Sequence, residues 1–228
     1  MKKKVQRKKR ESKRKIKAII FDVAGVLVGG KITSSKVIEH SGVHEYMARK
    51  LKMGIDSWID SIETPYNQSM EGQIDGDRAV KWIARNLKIN EKKLTKLWIS
   101  AYKRKLKKNK KLYLIARKLK SQGYIVGILS DQWYLSKKAM IPEENIRDFD
   151  PVIISCDVGL RKPNPLIYKM LLKKLREKNK KIKASEIIFA DNRDWNLTVP
   201  RNMGINVILF KDDKQFLKDL KKFGIILK

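Results

Sequence analysis

The sequence predicts an α/β protein: a Rossmann-like parallel β-sheet flanked by helices, with an all-helical segment inserted after the first strand. Short apolar runs alternate with amphipathic helical segments, which is typical of a parallel sheet covered on both faces. Three of the apolar runs end on a polar residue, at Asp22, Ser130 and Asp191. Because ligands bind beyond the carboxyl ends of parallel strands, we expect these three side chains to lie in one crevice.

Five apolar runs are predicted to form the strands of this sheet. They are, in chain order, residues 16–23 (IKAIIFDV), 124–130 (YIVGILS), 151–158 (PVIISCDV), 187–191 (IIFAD) and 206–210 (NVILF). Helices are predicted over residues 110–122, 164–178 and 214–224, since their apolar residues recur at helical spacing. Gly25 is expected to turn the chain directly after the first strand.

The segment between the first strand and the next predicted helix has a different pattern, with helical stretches and no evident strand. The stretches are residues 34–40, 44–62, 75–88 and 91–108. We therefore divide the chain into a core of residues 18–29 and 109–228 and a helical cap of residues 30–108. The cap is expected to cover the crevice as a lid. Three tryptophans at helical spacing are interpreted as its apolar core, namely Trp58, Trp82 and Trp98.

The chain of 228 residues is strongly basic, with 54 Lys and Arg against 24 Asp and Glu and a formal net charge of +30. Residues 1–17 form a basic arm that contains one glutamate. We interpret this arm as a solvated, disordered tail, because no aromatic residue interleaves its charges. Nucleic acid binding through the arm is the less favoured alternative. No apolar run is long enough to span a membrane, so we expect a cytoplasmic protein.

Five further side chains receive structural interpretations. The single cysteine, Cys156, lies in an apolar stretch and is expected to be a buried structural thiol. His40 and His44 are expected on the surface of the cap. Trp133 and Trp195 follow the second and fourth strand ends, and both are expected to pack into the interior.

Four motifs follow one another along the chain. The first is the apolar strand and turn FDVAGVL, and the second is VGILSDQ, a strand that ends in serine. The third is the lysine motif GLRKPNPLIY, and the fourth is IIFADN followed by DWNLTVPRNMGI. In order and spacing they resemble the motifs of the haloacid dehalogenase-like hydrolase superfamily, over nearly the whole chain after the basic arm. The inserted helices resemble the helical cap of that superfamily.

The resemblance implies a magnesium-dependent site for phosphoryl transfer. Asp22 would be the nucleophile that forms an aspartyl-phosphate intermediate. Mg²⁺ would be the cofactor, held by Asp22, the backbone carbonyl of Ala24 and Asp191, with water completing its oxygen ligands. The substrate would be a small phosphorylated compound.

The other motif residues would bind the phosphate or support the metal. Lys162 would lie beside the nucleophile and hold the charges of the carboxylate and the phosphate, which makes it the second catalytic candidate. Ser130 would donate its hydroxyl to a phosphate oxygen, and Asp131 would donate its backbone amide. Asn192 would accept a hydrogen bond from a metal-bound water.

One residue departs from the pattern of the superfamily's phosphatases. Ala24 stands where they carry a second aspartate, which protonates the leaving alcohol and helps to activate water. Acid–base help of this kind contributes about 10²–10⁴ in rate, so we expect a weakened phosphatase. Three alternatives stay open: a haloacid dehalogenase, a phosphonatase-like enzyme that uses a cap lysine, and a non-catalytic relative that binds a phosphorylated ligand or nucleic acid.

Overall fold

A computed structural model describes residues 16–29 and 42–227 of the chain. Its strands are β1 (Ala18–Phe21), β2 (Val28–Gly29), β3 (Lys107–Lys108), β4 (Ile125–Ser130), β5 (Val152–Ile154), β6 (Ile187–Asp191) and β7 (Asn206–Leu209). Five of them form a parallel sheet in the order β5-β4-β1-β6-β7. β1 lies in the middle, where all four of its apolar residues are buried. The predicted α/β class is confirmed.

The described helices cover both faces of this sheet and form the inserted cap. They are α1 (Val43–Lys50), α2 (Ile55–Met70), α3 (Gly76–Asn86), α4 (Glu91–Lys105), α5 (Lys110–Ser121), α6 (Tyr134–Met140), α7 (Glu143–Ile146), α8 (Ser155–Val158), α9 (Pro165–Lys178), α10 (Trp195–Asn202) and α11 (Asp213–Lys222). On one face Phe216 of α11 packs against Phe21, with ring centroids 5.5 Å apart. On the other face Tyr168 of α9 packs against Phe189 at 6.1 Å. None of the described helices is both long and apolar enough to cross a membrane.

A short antiparallel ladder joins the two ends of the inserted segment. Val28 pairs with Lys108 and Gly29 pairs with Lys107, so β2 and β3 lie side by side. The expectation that residues 30–108 hold no strand is therefore wrong for β3. Its two residues are exposed lysines, and such a pair offers no apolar alternation from which a strand could be predicted.

Helices α1 to α4 form the helical cap, which packs over the carboxyl edge of the sheet. Trp58 and Trp98 are fully buried in the cap core, with ring centroids 5.0 Å apart, as predicted. The same prediction is wrong for Trp82, which is 40 % exposed, because α3 buries the opposite face that carries Ala79 and Ile83. The division into a cap of residues 30–108 and a core of residues 18–29 and 109–228 remains our proposal.

Two predicted helical stretches need further comment. The stretch 44–62 is two helices, because α1 ends before Lys52, whose φ of 56° lies in the left-handed region. The stretch 34–40, which includes His40, lies outside the described residues, as does most of the basic arm of residues 1–17.

The third predicted strand is shorter than expected. β5 ends at Ile154, and Ser155 begins the short helix α8, which ends at Gly159 with a φ of 69°. The Ser155 hydroxyl connects this point to the loop after β4, since it accepts from the backbone N–H of Gln132 at 3.0 Å. Cys156 thus lies in α8 and is half-buried, not fully buried as expected. Burial raises the pKa of its thiol to about 11.

Two contacts between the cap and the core involve aromatic side chains: a hydrogen bond from Trp133 and the packing of a glycine against Tyr134. The indole N–H of Trp133 donates to the hydroxyl of Tyr102 at 2.8 Å, between the loop after β4 and α4. Trp133 is fully buried, as predicted, and its ring centroid lies 4.5 Å from that of Trp98. Gly76, at the start of α3, lies against Tyr134: a methyl group built on Gly76 would lie 2.0 Å from Cγ of that ring.

Replacing Gly76 by Ala should destabilise the protein by about 1–3 kcal/mol, because the new methyl group overlaps the base of the Tyr134 ring and forces the cap away from the core. Urea unfolding of the full chain measures this loss. Gly29→Ala is the matched control, since a methyl group at Gly29 meets no heavy atom of the described residues within 4 Å. Equal midpoints for Gly76→Ala and the unchanged protein would contradict the close packing described here.

Candidate active site

Asp22 is placed at the carboxyl edge of the sheet by the turn that follows β1. Its backbone N–H donates to the carbonyl of Ala190 at 2.9 Å, which continues the β1–β6 ladder. The chain then turns back on itself, and the N–H of Val28 donates to the carbonyl of Val23 at 2.8 Å. Gly25 has a φ of 83°, which an L-residue with a side chain rarely adopts, so the predicted glycine turn is present.

Lys162 connects the ends of two strands through its ammonium group. Its Nζ lies 3.1 Å from Oδ1 of Asp22 and 2.6 Å from Oδ2 of Asp191. All three side chains are buried. Burial alone would lower the pKa of Lys162, but the charges of Asp191 and Asp22 raise it above its ordinary value, so the ammonium stays charged.

Asp191 is held by three donors. Its Oδ1 accepts from the backbone N–H of Arg193 at 2.8 Å, and its Oδ2 accepts from Lys162 and from the side-chain amide of Asn196 at 3.1 Å. The backbone of Asn196 is held in turn, since the hydroxyl of Tyr168 donates to its backbone carbonyl at 2.6 Å. Sequence reasoning missed Asn196, although its position at the start of α10, five residues after Asp191, is a usable signal.

Ser130 is the last residue of β4, and Asp131 is the first residue after it. The side-chain amide of Gln132 donates to Ser130 Oγ at 2.9 Å, and the serine is fully buried. Oδ1 of Asp131 accepts from the backbone N–H of Lys162 at 3.0 Å, which ties the loop after β4 to the lysine motif. The structure therefore brings Asp22, Ser130, Asp131, Lys162 and Asp191 to one edge of the sheet.

The charge state of Asp22 is set by its neighbours. Burial raises its pKa to about 6, with Lys162 lowering it and Asp191 raising it. A hydrogen bond with Ser130 lowers the pKa further, and the nearby charge of Asp131 raises it. Above about pH 6 Asp22 is therefore a carboxylate, which is the form that can act as a nucleophile.

A cavity of about 280 Å³ separates this edge of the sheet from the cap. Its floor includes Asp22, Ala24, Asp131 and Lys162. Helix α2 forms the wall opposite with one stripe of residues: Ile59, Ile62, Glu63, Tyr66, Asn67 and Met70. Arg161 and Arg193 complete the lining on the core side, together with Asn196.

Trp195 is an exception among the predicted packing residues. It is 58 % exposed, and the guanidinium carbon of Arg193 lies 5.5 Å from its ring centroid. The expectation that Trp195 packs into the interior is therefore wrong. As the first residue of α10 it faces outward, whereas Leu197 of the same helix is buried.

The residues at this edge fit a magnesium ion. Oδ1 of Asn192 is a buried oxygen that accepts no hydrogen bond from the described residues, and Oδ1 of Asp22 has the Lys162 ammonium as its ion-pair partner, at 3.1 Å. Asn192 lies close to the turn, since a methyl group on Gly25 would lie 2.3 Å from its Nδ2. The described residues contain no group of three or more His, Cys, Asp or Glu side chains able to hold a metal. That agrees with Mg²⁺, which takes one or two carboxylates and keeps several waters.

His44 of α1 is buried and lines the cavity, so its predicted surface position is wrong. Its Nδ1 accepts from the indole N–H of Trp58 at 2.9 Å. Its ring also lies 5.7 Å from that of Tyr66 and 6.3 Å from that of Trp98. A single histidine in a basic, polar stretch gives no sign of this aromatic pocket. Burial lowers the pKa of His44 to about 4, so the imidazole is neutral.

Comparison with known proteins identifies the family. A family model for haloacid dehalogenase-like hydrolases matches residues 16–204. A crystal structure of a HAD family enzyme from Bacteroides thetaiotaomicron, in complex with magnesium and inorganic phosphate, matches with a TM-score of 0.65 at 20 % identity. The match covers 87 % of this chain and 96 % of that one. At this identity the structural match speaks for the fold.

Sequence relatives include enzymes of two kinds. The chain is 34 % identical over 119 residues to Bifunctional epoxide hydrolase 2 of Rattus norvegicus, covering 50 % of this chain and 21 % of that protein. It is 27 % identical over 230 residues to the Glyceraldehyde 3-phosphate phosphatase of Pyrococcus furiosus, covering 91 % of this chain and 86 % of the relative. The chain spans between about a fifth and two fifths of the length of the epoxide hydrolases that it matches.

The neutral His44 should make the protein less stable in acid. In the unfolded chain a histidine takes up its proton near pH 6.5, whereas folded His44 does so only near pH 4. The unfolded state therefore binds more protons in this window, and the free energy of unfolding falls as the pH drops from about 6.5 to about 4. Over the whole window the loss from His44 approaches about 3 kcal/mol.

His44→Gln isolates this effect, because glutamine can accept from Trp58 and does not titrate. Urea unfolding across the same window should give a shallower loss of stability for the variant than for the unchanged protein. Parallel curves for the two proteins would show that His44 is not held neutral in the folded state.

Proposed function

The chain belongs to the haloacid dehalogenase-like hydrolases, and within that family we propose that it is a magnesium-dependent phosphatase of a small phosphorylated compound. The observation that carries the proposal is the position of the Lys162 ammonium between the carboxylates of Asp22 and Asp191, at the floor of the cavity. Two buried carboxylates and one ammonium leave an excess of negative charge. A divalent cation beside the two carboxylates would offset that charge at the floor when a phosphate dianion enters.

The chain's own residues divide the work of phosphoryl transfer. A carboxylate oxygen of Asp22 attacks phosphorus in line with the leaving oxygen and forms an aspartyl-phosphate. Lys162 holds Asp22 in place and offsets charge on the phosphate. The Ser130 hydroxyl and the backbone N–H of Asp131 donate to phosphate oxygens.

Asp22, the carbonyl of Ala24 and Asp191 would hold Mg²⁺, with Asn192 accepting from one of its waters. The bound ion would supply positive charge that offsets the repulsion between the carboxylate and the phosphate. The support from relatives lies in the Bacteroides thetaiotaomicron enzyme, which was crystallised with magnesium and inorganic phosphate. The Pyrococcus furiosus relative is named as a phosphatase of glyceraldehyde 3-phosphate.

The cavity argues for a small substrate. Its volume of about 280 Å³ lies just below the range for small-molecule sites, about 300–1,000 Å³. The α2 wall offers apolar contacts through Ile59, Ile62 and Met70, and polar contacts through Asn67 and Glu63. We expect a phosphate monoester whose organic group is short and partly apolar.

A haloacid dehalogenase is the second candidate, because Ala24 would not impair displacement of a halide, which needs no acid. Asp191 argues against it, since dehalogenases of the superfamily dispense with metal and lack this acid. A phosphonatase-like reaction requires a cap lysine in the cavity, and no lysine of the described cap lines it. Halide release from chloroacetate in the presence of a metal chelator would favour the dehalogenase.

Asp22→Asn should abolish magnesium-dependent phosphate release, with a loss of at least about 10³-fold, because an amide cannot form the aspartyl-phosphate. Phosphate release from phenyl phosphate, with Mg²⁺ and with a chelator, measures the effect. Asp157→Asn is the control, since Asp157 is an exposed partner of Lys137. The proposed function fails if the unchanged protein and Asp22→Asn release phosphate at the same magnesium-dependent rate.

Where no other side chain protonates the leaving oxygen, Ala24→Asp should raise the rate on phenyl phosphate by about tenfold or more, since it adds a carboxyl group at the cavity floor that can do so. Ala24→Asn has the same size without the proton and should give no gain. A rate increase shared by both variants would show that shape, not proton transfer, limits the reaction.

A further inference from the structure

The cavity contains a second half-buried carboxyl group for which the proposed mechanism has no use. Asp131 lines the cavity beside Asp22 and Lys162. One of its oxygens, Oδ1, accepts from the backbone N–H of Lys162 at 3.0 Å. Within residues 16–29 and 42–227, no donor reaches the other oxygen, Oδ2. One oxygen thus anchors the side chain, and the other remains available to a substrate.

An ionised carboxylate at this place would weaken phosphate binding. The charges around Asp131 are those of Lys162 and Arg161, which favour its ionised form, and of Asp191, which opposes it. Burial has the largest effect and raises the pKa of Asp131, with Lys162 lowering it.

We propose that Asp131 is a catalytic residue, the general acid and base that replaces the acid absent at Ala24. The inference rests on the proposed phosphatase function and adds to it. In this chain the carboxyl group would come from the loop after β4, whereas position 24 lies in the turn after β1. Both residues line the same cavity floor, so either position can serve a leaving oxygen there.

One proton leaves the Asp131 carboxyl group in the first step and returns to it in the second. In the first step, an oxygen of Asp22 bonds to phosphorus, the bond from phosphorus to the leaving oxygen breaks, and that oxygen takes the proton of the Asp131 carboxyl group. In the second step, water bonds to phosphorus and gives a proton to the Asp131 carboxylate, while the bond from phosphorus to Asp22 breaks. The alcohol and inorganic phosphate leave, and Asp131 again carries its proton.

Other titratable groups at the cavity fit this role less well. Glu63 is exposed on α2 and contacts solvent at the cavity wall. His44 is neutral, because burial lowers its pKa to about 4, and it therefore carries no acidic proton at neutral pH. Among the described residues that line the cavity, Asp131 alone combines a half-buried carboxyl group, an anchored oxygen and a place on the floor beside Asp22.

Asp131→Asn tests the proposal, because asparagine keeps an oxygen for the Lys162 N–H and loses the transferable proton. We expect a loss of at least about 10²-fold with an alkyl phosphate such as glycerol phosphate, and of less than about fivefold with p-nitrophenyl phosphate, whose leaving group needs little protonation. Glu177→Gln, an exposed change on α9, is the control. Equal losses with both substrates would mean a structural role and overturn the proposal.

Rescue provides an independent criterion. Adding Ala24→Asp to Asp131→Asn should restore hydrolysis of the alkyl phosphate, since it returns a proton donor to the cavity floor. If Asp22→Asn abolishes activity while Asp131→Asn leaves every substrate unaffected, the role of Asp131 is wrong and the phosphatase assignment stands. If the unchanged protein hydrolyses no phosphate ester, both are wrong.

Binding of inorganic phosphate gives a readout without turnover. At alkaline pH, which favours the ionised form of any carboxyl group, Asp131→Asn should bind inorganic phosphate several times more tightly than the unchanged protein, because a repelling charge is gone. Isothermal titration calorimetry of the full chain with Mg²⁺ measures this. An unchanged affinity would show that the Asp131 carboxylate does not face the phosphate and would overturn the proposal.

Discussion

The buried ammonium of Lys162 between Asp22 and Asp191 is the interaction on which the whole site depends. Neither carboxylate has another cation within ion-pair distance in the described residues, and both side chains are buried, with Asp22 at the floor of the cavity. Breaking a buried pair by removing one partner costs about 3–5 kcal/mol, because the remaining charge is left uncompensated. The same lysine anchors the loop after β4 through Asp131, so one residue couples three strand ends and their chemistry.

The order of the sheet explains why these groups meet. β1 lies between β4 and β6 and runs parallel to both. The carboxyl ends of the three strands therefore lie at one edge of the sheet, where they place Asp22, Ser130 and Asp191. Helix α2 covers that edge with a stripe of apolar and polar residues, and its contacts leave a small cavity. The proposed phosphoryl transfer to Asp22, and the proposed role of Asp131 as the acid, both rest on this arrangement of strand ends and cavity.

The sequence was sufficient for the sheet and for the residues at its edge, because polar residues that end buried runs are recognisable without coordinates. It was insufficient where partners are distant in the chain. His44 enters an aromatic pocket built from α2 and α4, Trp82 lies on the outer side of α3, and Trp195 begins a helix facing outward. The side-chain carboxylate of Asp131 was also overlooked, because only the cavity shows that it lines the floor.

The most direct test of the central claim is to trap the covalent intermediate. The full chain is incubated with Mg²⁺ and acetyl phosphate, whose leaving group needs no proton, and then quenched in acid and digested for peptide mass mapping. We expect one added phosphoryl group on the peptide that contains Asp22, with a larger trapped fraction in Asp131→Asn, where water is activated poorly. A phosphoryl group on another residue, or none under conditions of turnover, would contradict it.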